Sequence, residues 1–185
     1  SGSLTKGDIV TLYLDGNGAS TRGVTVLVAS GGSITGAHIY VNSLIPRNQT
    51  GGQITSTHLA TADDNADADI TGIYSMSGND IDVETATGQL LAWTGSTFRL
   101  IGGLTGASLD VRGGFIQEGN IELNDSFHLR NGVFTGSSIA SSAIYVDGFF
   151  AMTGGTFTAP RGSLNLDYPT DSVDATLFSI NTGTF

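Results

Sequence analysis

The residues best suited to chemistry lie in an acidic stretch at positions 61–70, which reads TADDNADADI. Oxygen-bearing side chains occupy alternate positions within it: Asp63, Asn65, Asp67 and Asp69. Calcium takes six to eight oxygen ligands, and loops of the D-x-[DN]-x-[DN] type supply them at this spacing. Two residues depart from that pattern, because Ala68 replaces the turn glycine and Tyr74 replaces the closing glutamate. The stretch therefore predicts either a Ca²⁺ site on these four residues or a solvated acidic loop.

A second group of carboxylates follows at Asp80, Asp82 and Glu84, in the run DIDVE. Alternation along a strand places all three on one face. On such a face, solenoid-type enzymes that cleave glycans use carboxylates for acid–base chemistry, and carboxylates there also attract calcium. The alternative is the polar outer face of an amphipathic strand, since the sequence identifies no catalytic partner for them.

The three histidines, His38, His58 and His128, are scattered along the chain. The sequence has no cysteine, and it lacks the GxSxG, P-loop and HExxH patterns. We therefore expect each histidine to be a structural or surface residue, and we expect a protein that is not an enzyme.

Aromatic residues offer another kind of site, because tyrosine and tryptophan rings stack against the apolar faces of sugars. The candidates for such a surface are Tyr40, Tyr74, Trp93, Tyr145 and Tyr168. The alternative for each ring is burial in a core or in an interface within a fibre. A cell-surface glycan is accordingly one predicted partner.

The elements that must position these residues are short strands separated by glycine. In the run TGASLDVRGG, apolar Leu109 and Val111 flank Asp110. Looser copies begin at Thr71 and Thr87, so that successive units start 16 and 18 residues apart. A strand this short cannot bury its apolar face alone, and stacked copies must therefore share one core.

A longer motif alternates with the first and carries most of the phenylalanines. The runs FHLRNGVFTG and FAMTGGTFTA align residue by residue and begin 23 residues apart. Their spacing is that of neighbouring coils, so the rings of Phe127, Phe134, Phe150 and Phe157 are predicted to stack as a column.

These patterns predict an all-β fold, either an elongated β-solenoid or a repeat-strand fibre. Residues 1–30 are predicted to form an N-terminal β-hairpin that caps the array or docks a partner. Residues 31–185 form the array of strand repeats. A loop is expected around Pro46. Another is expected at 61–70, because Asp and Asn are poor residues for a helix interior.

The charge of the chain limits its partners. The formal net charge is −10, and only seven residues are Lys or Arg. Nucleic-acid binding and docking to anionic lipid are therefore disfavoured. No apolar run approaches the ~18–20 residues of a membrane span, so no membrane insertion is expected. Cations and neutral glycans are the partners that this charge favours.

The run TGGTFTAPRGSLNL (Thr153–Leu166), with the recurring Thr-Gly units, resembles the Gly/Ser/Thr-rich β-strand repeats of bacterial surface adhesins. Similar repeats build the shafts of phage tail fibres. The resemblance covers about residues 30–185 and implies an extracellular, cell-surface or virion-surface protein that attaches, spaces or assembles. It implies no catalytic residues.

Three functions follow as hypotheses. The first is a non-catalytic structural and adhesive module of a surface fibre. The second is a trimeric, receptor-binding segment of a phage tail fibre, with a core shared between chains. The third is a glycan-cleaving β-helix that uses Asp80, Asp82 and Glu84, although no basic residues are expected to converge on an anionic sugar.

Self-association is a further expectation. The final run SINTGTF has the pattern of another repeat unit cut short. A stack of strands with an open end leaves backbone groups unpaired there, and pairing with a second copy satisfies them. The sequence therefore predicts a homo-oligomer, either a trimer or a filament.

Overall fold

The structure is a computed structural model that describes residues 3–16, 21–84, 86–166, 178–180 and 183–184. The chain is mostly β and winds into a β-solenoid of about seven turns, called coils below, with an N-terminal β-hairpin. The all-β prediction is confirmed. Of the two predicted architectures the solenoid is the observed one, and its apolar core lies within a single chain.

The described residues contain short strands and two short helices. The strands are β1 (Leu4–Tyr13), β2 (Val24–Gly32), β3 (Ser43–Asn48), β4 (Gln53–Thr55), β5 (Tyr74–Ser77), β6 (Asp80–Val83), β7 (Gln89–Ala92), β8 (Thr97–Leu100), β9 (Leu104–Val111), β10 (Gly114–Gln117), β11 (Ile121–Leu129), β12 (Val133–Thr135), β13 (Ile144–Val146), β14 (Phe149–Met152), β15 (Thr156–Thr158), β16 (Leu164–Leu166) and β17 (Phe178–Ile180). The helices are α1 (Ser56–Ala62) and α2 (Ala68–Thr71). Neither has the length and apolar character needed to cross a membrane.

Apart from β1 and β5, which pair antiparallel with β2 and β6, the strands pair in parallel to form three stacks along the solenoid. The first stack contains β6, the start of β9, the start of β11, β13 and β16. The second contains β2, β3, β7, the ends of β9 and β11, β14 and β17. The third contains β4, β8, β10, β12 and β15. The long strands β9 and β11 therefore join the first two stacks into one sheet.

The core follows from the alternation of apolar and polar residues along each strand. In the second stack five inward side chains lie in register on successive coils: Leu44, Leu90, Leu109, Phe127 and Phe150. The third stack contributes a second row: Ile54, Phe98, Phe115, Phe134 and Phe157. All of these side chains are buried. The two rows face each other and fill the solenoid.

The predicted phenylalanine column is present as two columns that meet in the core. Phe127 stacks on Phe150 with ring centroids 4.8 Å apart, and Phe134 stacks on Phe157 at 5.0 Å. Across the core, Phe127 meets Phe134 edge to face at 5.2 Å. Stacked rings within a column and edge-to-face rings between columns are the two arrangements that aromatic quadrupoles favour.

The N-terminal hairpin covers one end of the solenoid. Strand β1 pairs antiparallel with β2, and β2 is also the first strand of the second stack. The register of β1 shifts between Lys6 and Ile9, where Gly7 adopts a φ of 97°. Such a bulge, together with a charged side chain, protects an edge strand from pairing with another chain. These features favour a cap over a docking strand for this hairpin.

Both loop predictions need correction. Pro46 lies inside β3, which pairs with β2 along its length but with β7 only at Ser43 and Leu44. Because Pro46 has no N–H, it could not donate a hydrogen bond to β7, and β7 does not pair with β3 at this position. Proline in strands is usually found where the neighbouring strand is absent. Of residues 61–70, only 63–67 are loop, because α1 ends at Ala62 and α2 begins at Ala68.

The two helices form because polar side chains cap their first turns. The backbone N–H of Thr55 donates to His58 Nδ1 at 3.0 Å, before α1. The Asp67 side chain accepts from the N–H of Asp69 at 2.8 Å, before α2. Capping of this kind stabilises a helix whose interior residues have low helix propensity.

Candidate functional site

Asp69, one of the four predicted calcium ligands, is committed to contacts within the protein. Its Oδ1 accepts from Arg22 Nε at 2.9 Å, and its Oδ2 accepts from the backbone N–H of Gly16 at 2.7 Å. The carboxylate is buried in this position. Asp69 therefore joins the hairpin to α2, and a guanidinium already neutralises its charge.

The other three predicted calcium ligands differ in their hydrogen bonds and in their exposure to solvent. The Tyr13 hydroxyl donates to Asp67, which holds the pKa of Asp67 low and raises the pKa of Tyr13 to about 12. Burial raises the pKa of Asp63, whose Oδ1 has no hydrogen-bond partner. Asn65 is exposed. Within the described part of the chain, no group of three or more His, Cys, Asp or Glu side chains is arranged to hold a metal ion.

Calcium binding at Asp63, Asn65, Asp67 and Asp69 stays a prediction. Calcium at ~100 times its dissociation constant adds about 2.7 kcal/mol to the free energy of unfolding, so the melting temperature should rise. Asp63→Asn, which preserves shape, should remove that rise, whereas Asp82→Asn on the exposed surface should retain it. No thermal shift in the parent protein would mean that the site does not exist.

Two of the three carboxylates proposed for glycan cleavage accept hydrogen bonds from backbone N–H groups. Glu84 accepts from the backbone N–H groups of Ala86 at 2.9 Å and Thr87 at 2.8 Å, which hold its pKa below the usual value. Asp80 accepts from the N–H of Gly103 at 2.6 Å. Asp82 faces solvent on the first stack. Two of the three carboxylates therefore stabilise turns and connections between coils.

The candidate aromatic residues also separate. Of the two alternatives for Tyr74, burial in the core is the observed one, because the residue is 1% exposed and packs in the apolar core. Tyr168 lies outside the described residues. Tyr145 is half-buried on the first stack, in register with Glu122. Tyr40 and Trp93, in contrast, come together on the outside of the second stack.

Tyr40 and Trp93 form a surface with His38, which we call the aromatic patch. The Tyr40 and Trp93 ring centroids are 5.4 Å apart, and those of His38 and Trp93 are 5.1 Å apart. His38 and Tyr40 are exposed, and Trp93 is half-buried. The patch is therefore a group of neighbouring rings outside the core, a position in which they are open to a ligand.

The loop between β2 and β3 places His38 and Tyr40 against Trp93. The Thr25 hydroxyl donates to the His38 carbonyl, and the Arg47 guanidinium donates to the Gly36 carbonyl. Gly23 allows the loop to cross the second stack closely, because a Cβ there would lie 2.2 Å from the Tyr40 carbonyl oxygen. The loop is therefore fixed to the second stack by hydrogen bonds to the carbonyl groups of Gly36 and His38.

Charged residues adjoin the patch, and their convergence was not predicted from the sequence. The Arg112 guanidinium carbon lies 5.8 Å from the centre of the Trp93 ring. Arg112 donates to Asp110 Oδ2 at 2.8 Å, and Arg130 Nε forms an ion pair with the same oxygen at 3.3 Å. The expectation that no basic residues converge is thus wrong. The signal was available, since Arg112 and Arg130 are 18 residues apart, which equals one repeat spacing.

The histidines have the structural or surface positions that were expected. His58 caps α1, and His38 belongs to the aromatic patch. His128 is half-buried beside Asp110 and meets Phe149 edge to face at 4.8 Å. Burial, with Arg130 nearby, lowers the pKa of His128, so its imidazole is neutral at neutral pH.

No protein-family model, curated protein or solved structure matches this chain. Its class is therefore defined by its own architecture, a β-solenoid with an N-terminal β-hairpin and an external aromatic patch. Such a patch can bind the apolar face of a sugar ring by stacking, and the adjoining guanidinium groups can donate hydrogen bonds to ligand oxygens.

Proposed function

We propose that this chain is a non-catalytic adhesive module of an extracellular, cell-surface or virion-surface fibre, and that the aromatic patch binds a glycan. The observation that carries this proposal is the position of His38, Tyr40 and Trp93, whose rings lie side by side outside the core. Tyr40 is 41% exposed. Exposing large apolar rings to water is unfavourable in free energy, so a cluster of such rings on a surface favours a binding role.

The solenoid supports this role because it holds the patch on a rigid base. Trp93 follows a strand of the second stack, and Gly113 on the next coil passes so close that a Cβ there would lie 2.0 Å from the Trp93 carbonyl oxygen. A ring whose backbone is fixed in this way has less conformational entropy to lose when a ligand stacks on it. The strand scaffold therefore favours recognition by a surface that exists before the ligand arrives.

The alternatives have less support. Cleavage of a glycan needs carboxylates free to exchange protons, and Asp80 and Glu84 are occupied by backbone N–H groups. A trimeric tail-fibre segment would share its core between chains, whereas this apolar core is filled by one chain. Assembly into a homo-oligomer stays part of the proposal, and a measurement of molar mass in solution tests it independently of glycan binding.

Trp93→Ala should abolish binding of the oligosaccharides that the parent protein binds on a glycan array, because it removes the central ring of the patch. Tyr145→Ala is the matched control, since it removes an aromatic ring from the outer side of the first stack. Affinities of the positive glycans should be measured by titration calorimetry. Equal binding by the Trp93→Ala variant and the parent would refute the role of the patch.

A further inference from the structure

Two arginines, Arg112 and Arg130, extend the aromatic patch along the solenoid axis. Leu91 pairs in register with Asp110, and Asp110 pairs with His128. The next outward positions on the same three coils are Trp93, Arg112 and Arg130, because Arg112 N donates to Ala92 O and Arg130 N donates to Val111 O. Neighbouring strands are about 4.8 Å apart, so Trp93 and Arg130 stand roughly 10 Å apart on one line. We call Trp93, Arg112 and Arg130 the axial row.

The solvent-exposed charged groups of the axial row are positively charged. The Asp110 side chain is only 3% exposed, whereas the side chains of Arg112 and Arg130 are 35% and 47% exposed. Both guanidinium groups form ion pairs with the same carboxylate oxygen, Oδ2, while the buried Oδ1 has no hydrogen-bond partner. Two positive charges are thus balanced by one negative charge beneath them. An approaching ligand meets the guanidinium groups and not the carboxylate.

The surrounding charges leave this excess in place. His128 lies between the strands of Arg112 and Phe149, and it is neutral at neutral pH because burial and Arg130 lower its pKa. The next carboxylate, Asp125, is bound by the hydroxyls of Ser108 and Ser126, at the opposite end of the second stack. That end is about four residues, or about 13 Å, away along the strands. Two of the seven basic residues in an acidic chain therefore share one small surface.

Guanidinium groups have donors to spare in this arrangement. Each has five N–H donors in a planar fork, and the contacts to Asp110 use only some of them. A planar carboxylate matches such a fork with two parallel hydrogen bonds. The Trp93 ring is the adjacent member of the axial row, where it can stack on the sugar that carries that carboxylate or on a neighbouring sugar.

We propose that the glycan bound by this surface is acidic, and that the carboxylate of a uronic acid residue binds Arg130 and Arg112 while a sugar ring stacks on Trp93. This inference rests on the proposed glycan-binding function and adds its ligand class. Arg130 is the residue to test, because it is the more exposed of the pair and does not contact Trp93. Arg112 lies over the Trp93 ring, so its replacement would also disturb the patch.

The experiment compares oligomers of galacturonate, glucuronate and mannuronate with their own methyl esters, in which the carboxyl charge is removed by the addition of one methyl group. The parent protein should bind at least one free acid about tenfold more tightly than its ester, since one charged hydrogen-bonded contact is lost. Arg130→Gln should reduce the affinity for the acid to that for the ester. Affinity for the acid should also fall as salt rises, and affinity for the ester should not.

The control variant is Arg99→Gln. Arg99 is also an arginine paired with a carboxylate, Glu118, and its side chain is 43% exposed, but it lies on the third stack away from the patch. The Arg99→Gln variant should bind the free acid more tightly than the ester, as the parent protein does. The parent protein could bind acid and ester with equal affinity while Trp93→Ala abolishes that binding. This result would refute the acidic ligand but would still support glycan binding by the aromatic patch. Binding of no acidic or neutral glycan would overturn both.

Discussion

Phe127→Ala should lower the free energy of unfolding by about 3–5 kcal/mol, the cost typical of deleting a fully buried phenylalanine. The ring is completely buried, stacks on Phe150 at 4.8 Å and meets Phe134 and Phe157 edge to face. Its removal opens a cavity between the two phenylalanine columns. The rigid coils on either side limit how far the structure can relax into that space.

Urea denaturation followed by fluorescence or circular dichroism measures the effect. Phe149→Ala is the matched control, because Phe149 precedes Phe150 on β14 but points away from the core and contacts His128 instead. That variant should lose much less stability than Phe127→Ala. An unchanged denaturation midpoint for Phe127→Ala would contradict the core described above.

Gly119→Ala should be the second damaging substitution, although it adds only one methyl group. A Cβ at position 119 would lie 1.9 Å from the carbonyl oxygen of Gly102 on the preceding coil and 2.3 Å from its carbonyl carbon. Backbone atoms cannot move aside as a side chain does, so the two coils would have to separate. Overpacking of this kind costs about 1–3 kcal/mol or more.

Gly103→Ala provides the control for this prediction in the same corner of the solenoid. A Cβ at Gly103 would have its nearest neighbours at 3.5 Å, from Asp80 Oδ1, and at 3.7 Å, from the Asn120 carbonyl oxygen, which are ordinary contacts. Thermal melts of the two variants should therefore separate clearly, with Gly103→Ala close to the parent. Similar melting temperatures for both would show that the coils are not packed this closely.

The fold could be predicted because it depends on repetition. Each short strand in the sequence shows its inward residues by alternation, and the spacing of the phenylalanines already gave the partners of Phe127 and Phe134 on the next coil. What the sequence could not show is which rows face each other across the core. That depends on the lengths of the corners between stacks, where β11 holds one more residue than β9 between its paired parts.

The binding surface was harder to predict for the same reason. Trp93 and Arg112 are 19 residues apart, whereas Arg112 and Arg130 are 18 apart, so no constant period brings all three onto one line. Tyr40 comes from a loop that crosses the second stack, and its path is set by Thr25, Arg47 and the close approach at Gly23. The acidic stretch was conspicuous by composition, yet Asp69 is used to hold Arg22.

Because the axial row lies on consecutive coils, the length of the solenoid and the ligand specificity of this surface can change independently. A coil in a solenoid contacts only its neighbours, so a whole coil can be gained or lost with little effect on distant ones. Duplication of a coil after Arg130 would lengthen the protein and leave the spacing of Trp93, Arg112 and Arg130 unchanged. Duplication between β7 and β9 would instead move Trp93 one coil further from the arginines. Variation in coil number could therefore change how far this surface projects or which glycan it accepts, depending only on where the coil is inserted.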